Sequence, residues 1–211
     1  MTLQIWRKGT AILAILGALL FLIFIGIAIL LYAGGNSVSP SAPGYSFLLN
    51  SWSDLGRTIA WSGKNNFGAQ VFFSLAMILW AISFVPSVYT LSTFFLESKT
   101  EKIFGTVGTI CAFICSFTLF ITVVFFPLDI HPLPHNIFAA IGYLSLLIVE
   151  ILFTYLMFAN AKHPKKHALC FLIVVIAILL YIIFGAALFQ KLVSFSLLFA
   201  TIIVFYDILI R

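Results

Sequence analysis

Six uninterrupted apolar runs, at about residues 10–33, 68–97, 103–127, 135–160, 166–189 and 191–211, constrain this chain more than any other feature. A helix crosses a hydrocarbon layer of about 30 Å with about 20 residues, so each run is long enough to span a bilayer. Charged residues make up only 8% of the chain, against about 25% in an average soluble domain. Such a surface cannot face water all round. A membrane barrel is excluded because its strands alternate apolar and polar residues, whereas these runs are continuous. The expected fold is all-α: one polytopic membrane domain over residues 1–211, a bundle of six transmembrane helices. Pro86 in the second run predicts a kink. Gln190 and Lys191, between the last two runs, predict a tight antiparallel hairpin. The first run is longer than the apolar stretch of about 7–15 residues in a cleaved signal peptide, so it is expected to remain as a helix.

Lys and Arg set the expected orientation. Arg7, Lys8, Lys99, Lys102, Lys162, Lys165, Lys166 and Arg211 fall at one set of helix ends, and only Arg57, Lys64 and Lys191 at the other. That asymmetry predicts an integral, multi-pass protein with both termini in the cytoplasm, and "AKHPKKH" reads as a topology determinant near anionic lipid. Two segments then lie outside, 34–67 and 127–135. The first opens with the turn-rich "GGNSVSPSAPG". In "YSFLLNSWSDLGRTIAW", Tyr45, Leu48, Leu49, Trp52, Leu55 and Ile59 recur at helical spacing. Asn50, Ser53, Asp54 and Arg57 form a polar stripe. The pattern predicts a short interfacial helix, with Trp52 and Trp61 at headgroup depth.

The second external segment lies within "FFPLDIHPLPHN". Asp54, Arg57, Asp129, His131 and His135 therefore share one side of the membrane. Pro132 and Pro134 favour extended backbone at His131 and Leu133. An extended stretch separates His131 from His135 by about 12 Å, whereas a shared metal needs both nitrogens within about 2.1 Å of it. No metal site is expected. Pro134 fits the first turn of a helix, which puts His135 at the amino end of the fourth span. There the helix dipole disfavours an imidazolium, and free N–H groups can receive an anion. Plainer roles are available too: Asp54 and Arg57 can pair on a helix surface, and Asp129 can cap a backbone turn.

Glu150 is the one acid well inside a span, about 22 Å beyond His135 at 1.5 Å per residue. An intramembrane acid is a functional candidate by default. Asp207 is placed to pair with Arg211. Cys111, Cys115 and Cys170 lie within spans and read as packing residues. "GTVGT" at 105–109 reads as helix packing. No Walker loop, dinucleotide glycine pattern or nucleophile elbow is present, no nucleic-acid partner is expected, and the sequence leaves any cofactor unknown.

"GYSFLLNSWSDLG" resembles a tyrosine, serine and S-D-L-G pattern, and "FFPLD" followed by "HNIFAA" resembles F-P-x-D then H-x-x-x-A. Together these resemble the prokaryotic six-helix membrane family known as domain of unknown function 998. That family is similar to the eukaryotic one containing the GPI-anchor lipid-remodelling factor and the damage-regulated autophagy modulator. The likeness spans nearly the whole chain in layout. It implies lipid handling rather than a particular reaction. The matching positions are Ser53, Asp54, Gly56, Pro127, Asp129 and His135. Asn50 and Arg57 come from the helical stripe alone, and His131 falls outside the pattern.

The resulting expectation is an external polar pocket that binds or processes a lipid headgroup. Asp54, Asp129 and His135 are its candidates for acid–base catalysis, and Ser53, Arg57 and His131 its candidates for holding the headgroup. The expected partners are a membrane lipid and a membrane protein. The alternatives are a non-catalytic scaffold, or a proton-coupled transporter built around Glu150 and the kinked second span. The sequence leaves open whether the protein is an enzyme.

Overall fold

The computed structural model describes residues 2–210. It contains seven helices: α1 (Leu3–Leu31), α2 (Trp52–Leu55), α3 (Phe67–Ser92), α4 (Lys99–Phe125), α5 (Pro132–Ala159), α6 (Lys165–Phe184) and α7 (Ala187–Ile210). All but the four-residue α2 are long and apolar enough to cross a membrane. Among the described residues there is no strand, only an isolated bridge between Ile59 and Asn65. The protein is thus an all-α, integral, multi-pass bundle.

Local signals account for the helix ends. Thr2 accepts from the Ile5 N–H at the start of α1. Ser98 and Glu101 form a reciprocal capping box at the start of α4. The second span ends at Ser92, short of the expected 97, where Thr93 N–H bonds back into the last turn, and Phe95 beyond it is fully buried. α3 continues unbroken through Pro86. The hairpin between α6 and α7 falls at Gly185 and Ala186, not at Gln190 and Lys191. Gly185 has φ 61°, and its N–H caps the Tyr181 carbonyl. Gln190 and Lys191 instead sit buried in the first turns of α7.

The six long helices close into a ring. α1 packs on α3, α3 on α4, α4 on α5, α5 on α6, α6 on α7, and α7 back on α1. Small residues permit the close approaches. A Cβ on Gly17 would stand 2.3 Å from Ser83 Oγ and 2.7 Å from Ser83 Cβ, so α1 and α3 meet there with no room for a methyl group. Outward-facing Ile23, Phe113, Phe117, Ile173 and Phe199 are exposed, as a face covered by acyl chains requires. The long loops lie at one end of the ring, here the loop end; the helix ends near both termini form the terminus end.

The expected interfacial helix over the 45–59 stripe shrinks to α2. Asn50, Asp54 and Arg57 of that stripe bond to the loop's own backbone, and so compete with a continuous helix. Asn50 N–H reaches back to the Ser46 carbonyl while Asn50 Oδ1 accepts from Ser46 N–H. Before it, Gly35 at φ 82° crosses so close to residue 62 that a Cβ would stand 2.6 Å from Ser62 N.

Gly17→Ala should lower the thermal unfolding midpoint in detergent, by an amount equivalent to about 1–3 kcal/mol of overpacking. Gly26→Ala is the control, because nothing lies within 4 Å of a Cβ there. It should be neutral or mildly stabilising. Equal midpoints for the two variants would refute the tight α1–α3 contact.

Candidate functional site

Three buried polar residues hold the 34–66 loop in shape. Asn50 donates to the Gly35 carbonyl (3.0 Å), the Tyr32 hydroxyl (3.4 Å) and Asp54 Oδ2 (3.2 Å). Asp54 closes a capping box with Ser51, accepting from Ser51 N–H at 2.8 Å, and accepts from Trp61 Nε1 at 2.8 Å. Asn66 accepts from Ala33 N–H and donates to the carbonyls of Asp54, Leu55 and Arg57. α7 clamps the same turn. Trp52 N–H donates to Gln190 Oε1 (2.8 Å) and Trp52 Nε1 to Ser194 Oγ (3.0 Å). Lys191 is fully buried and donates to the carbonyls of Asn50 and Ala187. Its ammonium lies 5.2 Å from the Trp52 ring.

Asp129 straps the second loop to the first. It accepts from Thr58 N–H (3.0 Å), from the Thr58 hydroxyl (2.5 Å) and from Ile59 N–H (2.9 Å). It therefore caps a backbone turn, but one 71 residues away in sequence. Burial alone would raise the Asp129 carboxyl. The bonds from Thr58 and Ile59 outweigh it and hold the group below the usual carboxylate range.

This strap sets α5 beside α2 and brings Ser53 to His135. His135 is buried, with Nδ1 2.7 Å from the Phe126 carbonyl and Nε2 3.0 Å from Ser53 Oγ. A carbonyl can only accept, so Nδ1 carries the proton of the neutral ring. Nε2 is then bare and accepts from the Ser53 hydroxyl. A serine whose hydroxyl faces a base, with the base oriented by a third group, is the geometry of an activated nucleophile. The pair lines a cavity of about 100 Å³ between the helices. Most of its wall is apolar, including Phe21, Phe73, Met77, Leu119 and Leu146. Asn136, Tyr143, Gln190 and Ser194 add polar groups to the same lining.

The remaining candidates take other positions. Arg57 makes no ion pair with Asp54. Its Nε donates to the Ile59 carbonyl (3.1 Å), and its guanidinium lies 4.3 Å from the centre of the Trp61 ring. His131 is exposed, edge-on to Phe126, and its carbonyl accepts from His135 N–H. The 132–134 stretch is helical, because Pro132 and Pro134 occupy the first turn of α5, where no N–H is needed. The two histidines are therefore one turn apart, closer than the extended reading predicts. No group of three or more His, Cys, Asp or Glu among the described residues is placed to hold a metal. Glu150 lies fully inside the bundle. Asp207 accepts from Lys166 (2.5 Å) and His167 (2.9 Å), and His167 in turn bonds His163 (3.0 Å). The expected partner Arg211 lies outside the described residues. Sequence reading missed Gln190, Lys191, Ser194 and Tyr143 as contributors to this end. Their only signal was polarity at the edge or within an apolar run.

The folded loop binds a proton at Asp129 less readily than an unfolded chain does. Its contribution to stability is complete at neutral pH and is lost as the pH falls through the group's lowered range. The unfolding midpoint in detergent should fall on acidification. Asp129→Asn should be less stable at neutral pH and should show a smaller acid-induced drop; an unchanged acid profile would contradict the strap. No protein-family model, curated protein or solved structure matches this chain.

Proposed function

We propose that this protein is a membrane-embedded hydrolase or acyltransferase acting on a lipid ester, with Ser53 as nucleophile and His135 as general base. The observation that carries the reading is the Ser53–His135 bond of 3.0 Å on the wall of an apolar cavity inside a membrane bundle. In the reaction, Ser53 Oγ attacks the ester carbonyl carbon while its proton passes to His135 Nε2. The tetrahedral intermediate collapses to an acyl-serine, and His135 returns the proton to the leaving alcohol. Water or a second alcohol then releases the acyl group by the same path in reverse. The Phe126 carbonyl holds the imidazole tautomer and steadies the ring as it becomes charged. Asn136, Tyr143 and Gln190 supply side-chain donors for the carbonyl oxygen. The apolar wall takes the acyl chain.

In this reading Asp54 and Asp129 are positioning residues that hold the two loops together. Arg57 receives the headgroup phosphate through its terminal nitrogens, which make no hydrogen bond among the described residues. His131, exposed at the same end of the bundle, is a second headgroup contact. The loop end faces the exterior, in keeping with the excess of Lys and Arg at the other end. Membership of the six-helix family that the loop motifs resemble is part of the same proposal. It contributes lipid handling but no reaction, so the chemistry rests on Ser53 and His135.

A fluorophosphonate probe should label the detergent-purified protein on Ser53, as read by peptide mapping. Ser53→Ala should abolish labelling, and His135→Ala should slow it by about 10²–10⁴. The same two variants should lose turnover of a fluorogenic phospholipid in mixed micelles. Absence of label on Ser53, or full phospholipid turnover by Ser53→Ala, would overturn the assignment.

A further inference from the structure

A second cavity, about 20 Å³, lies deeper in the ring, toward the terminus end. It is large enough for one water-sized occupant, which needs about 10–15 Å³. Glu150 on α5 lines it, 1% exposed, and neither carboxyl oxygen has a hydrogen-bond partner among the described residues. No Lys, Arg or His is part of that lining. The titratable group that senses Glu150 is the Cys115 thiol on α4.

The other polar groups on the wall include Ser83 and Ser87 on α3 and Thr201 on α7. Ser83 donates its hydroxyl proton to the Trp80 carbonyl (2.9 Å), and Ser87 donates to the Ser83 carbonyl (2.6 Å). With those protons committed, both serines present only oxygen lone pairs to the cavity. Trp80 and Thr201 can still donate, so a positive occupant is favoured by the unpartnered carboxyl together with the lone pairs of Ser83 and Ser87. An ionised carboxylate left alone there would carry a large desolvation cost, so the group must hold either a proton or a cation. Hard oxygen ligands suit a small hard ion rather than a soft metal.

We propose that Glu150, Ser83 and Ser87 form a binding site for a single small monovalent cation, a proton or a sodium ion, separate from the Ser53–His135 pair. Trp80, Leu197 and Leu198 line both cavities, so the two sites share a wall. The site is independent of ester chemistry, and its test does not read turnover.

The test uses dicyclohexylcarbodiimide, an apolar reagent that reaches acids inside membranes. The acid adds across one C=N bond, its proton moves to nitrogen and nothing leaves, so each reacted carboxyl gains the full reagent mass. Purified full-length protein in sodium-free choline buffer is treated over a range of pH, and the adduct is mapped by peptide mass. An adduct on Glu150 at neutral pH that is lost as the pH rises supports the site. If added sodium, but not equal choline, suppresses the adduct at fixed pH, sodium competes for the same oxygens. If sodium has no effect, the proton is the ligand. Mapping on the unmodified chain decides the matter even if Glu150→Gln, which should lose the adduct, fails to fold. No adduct on Glu150, or one indifferent to both pH and sodium, overturns the proposal.

Discussion

Every N–H and C=O that the 34–66 loop lays against the bundle must find a partner, because little water reaches it there. The rest of the loop end depends on how that demand is met. Regular helix is not the solution. Asn50, Asp54 and Asn66 instead bond the loop's backbone, and Gln190 and Lys191 of α7 take up an N–H and a carbonyl of the α2 turn. Once these are made, Asp129 can reach the N–H groups of Thr58 and Ile59. The Ser53–His135 pair is a product of that framework: one residue comes from α2 and the other from the first turn of α5, and nothing local holds them in register.

This division of labour separates acids from chemistry at the loop end. Asp54 and Asp129 accept several hydrogen bonds each from the first loop, an arrangement that fixes its geometry. Ser53 and His135 bond each other and face the cavity. Glu150 is the opposite of the loop acids, with no hydrogen-bond partner among the described residues. Its environment has been built by apolar packing, and Ser83 and Ser87 turn their protons away from it.

Much of the bundle was legible in the sequence because the bilayer imposes length and composition on each span. The six runs appear as six helices, with ends shifted where caps or a left-handed glycine decide. The α6–α7 turn was misplaced because polarity at Gln190 and Lys191 outweighed Gly185 in the reading, yet both polar side chains face protein and not water. The loop helix was over-read for a related reason. Helical spacing of Tyr45, Leu49 and Trp52 says which residues turn inward, but not that Asn50 bonds the backbone at Ser46 and Gly35. Ser53, Asp54, Asp129 and His135, picked out in the sequence from the two loops, lie at one end of the bundle. Their roles were not legible, because the Ser53–His135 bond joins residues 82 apart and the Phe126 carbonyl has no side-chain signature.

The clamp from α7 has a consequence for biosynthesis. Trp52, next to the proposed nucleophile, is held by Gln190 and Ser194, which leave the ribosome well over a hundred residues after it. Until the last helix inserts and closes the ring against α1, the loop lacks the partners that fix Ser53 opposite His135. A nascent chain stalled before α7 would hold both residues without the α7 contacts that clamp this turn. Assembly of the loop end is thereby tied to insertion of the last helix.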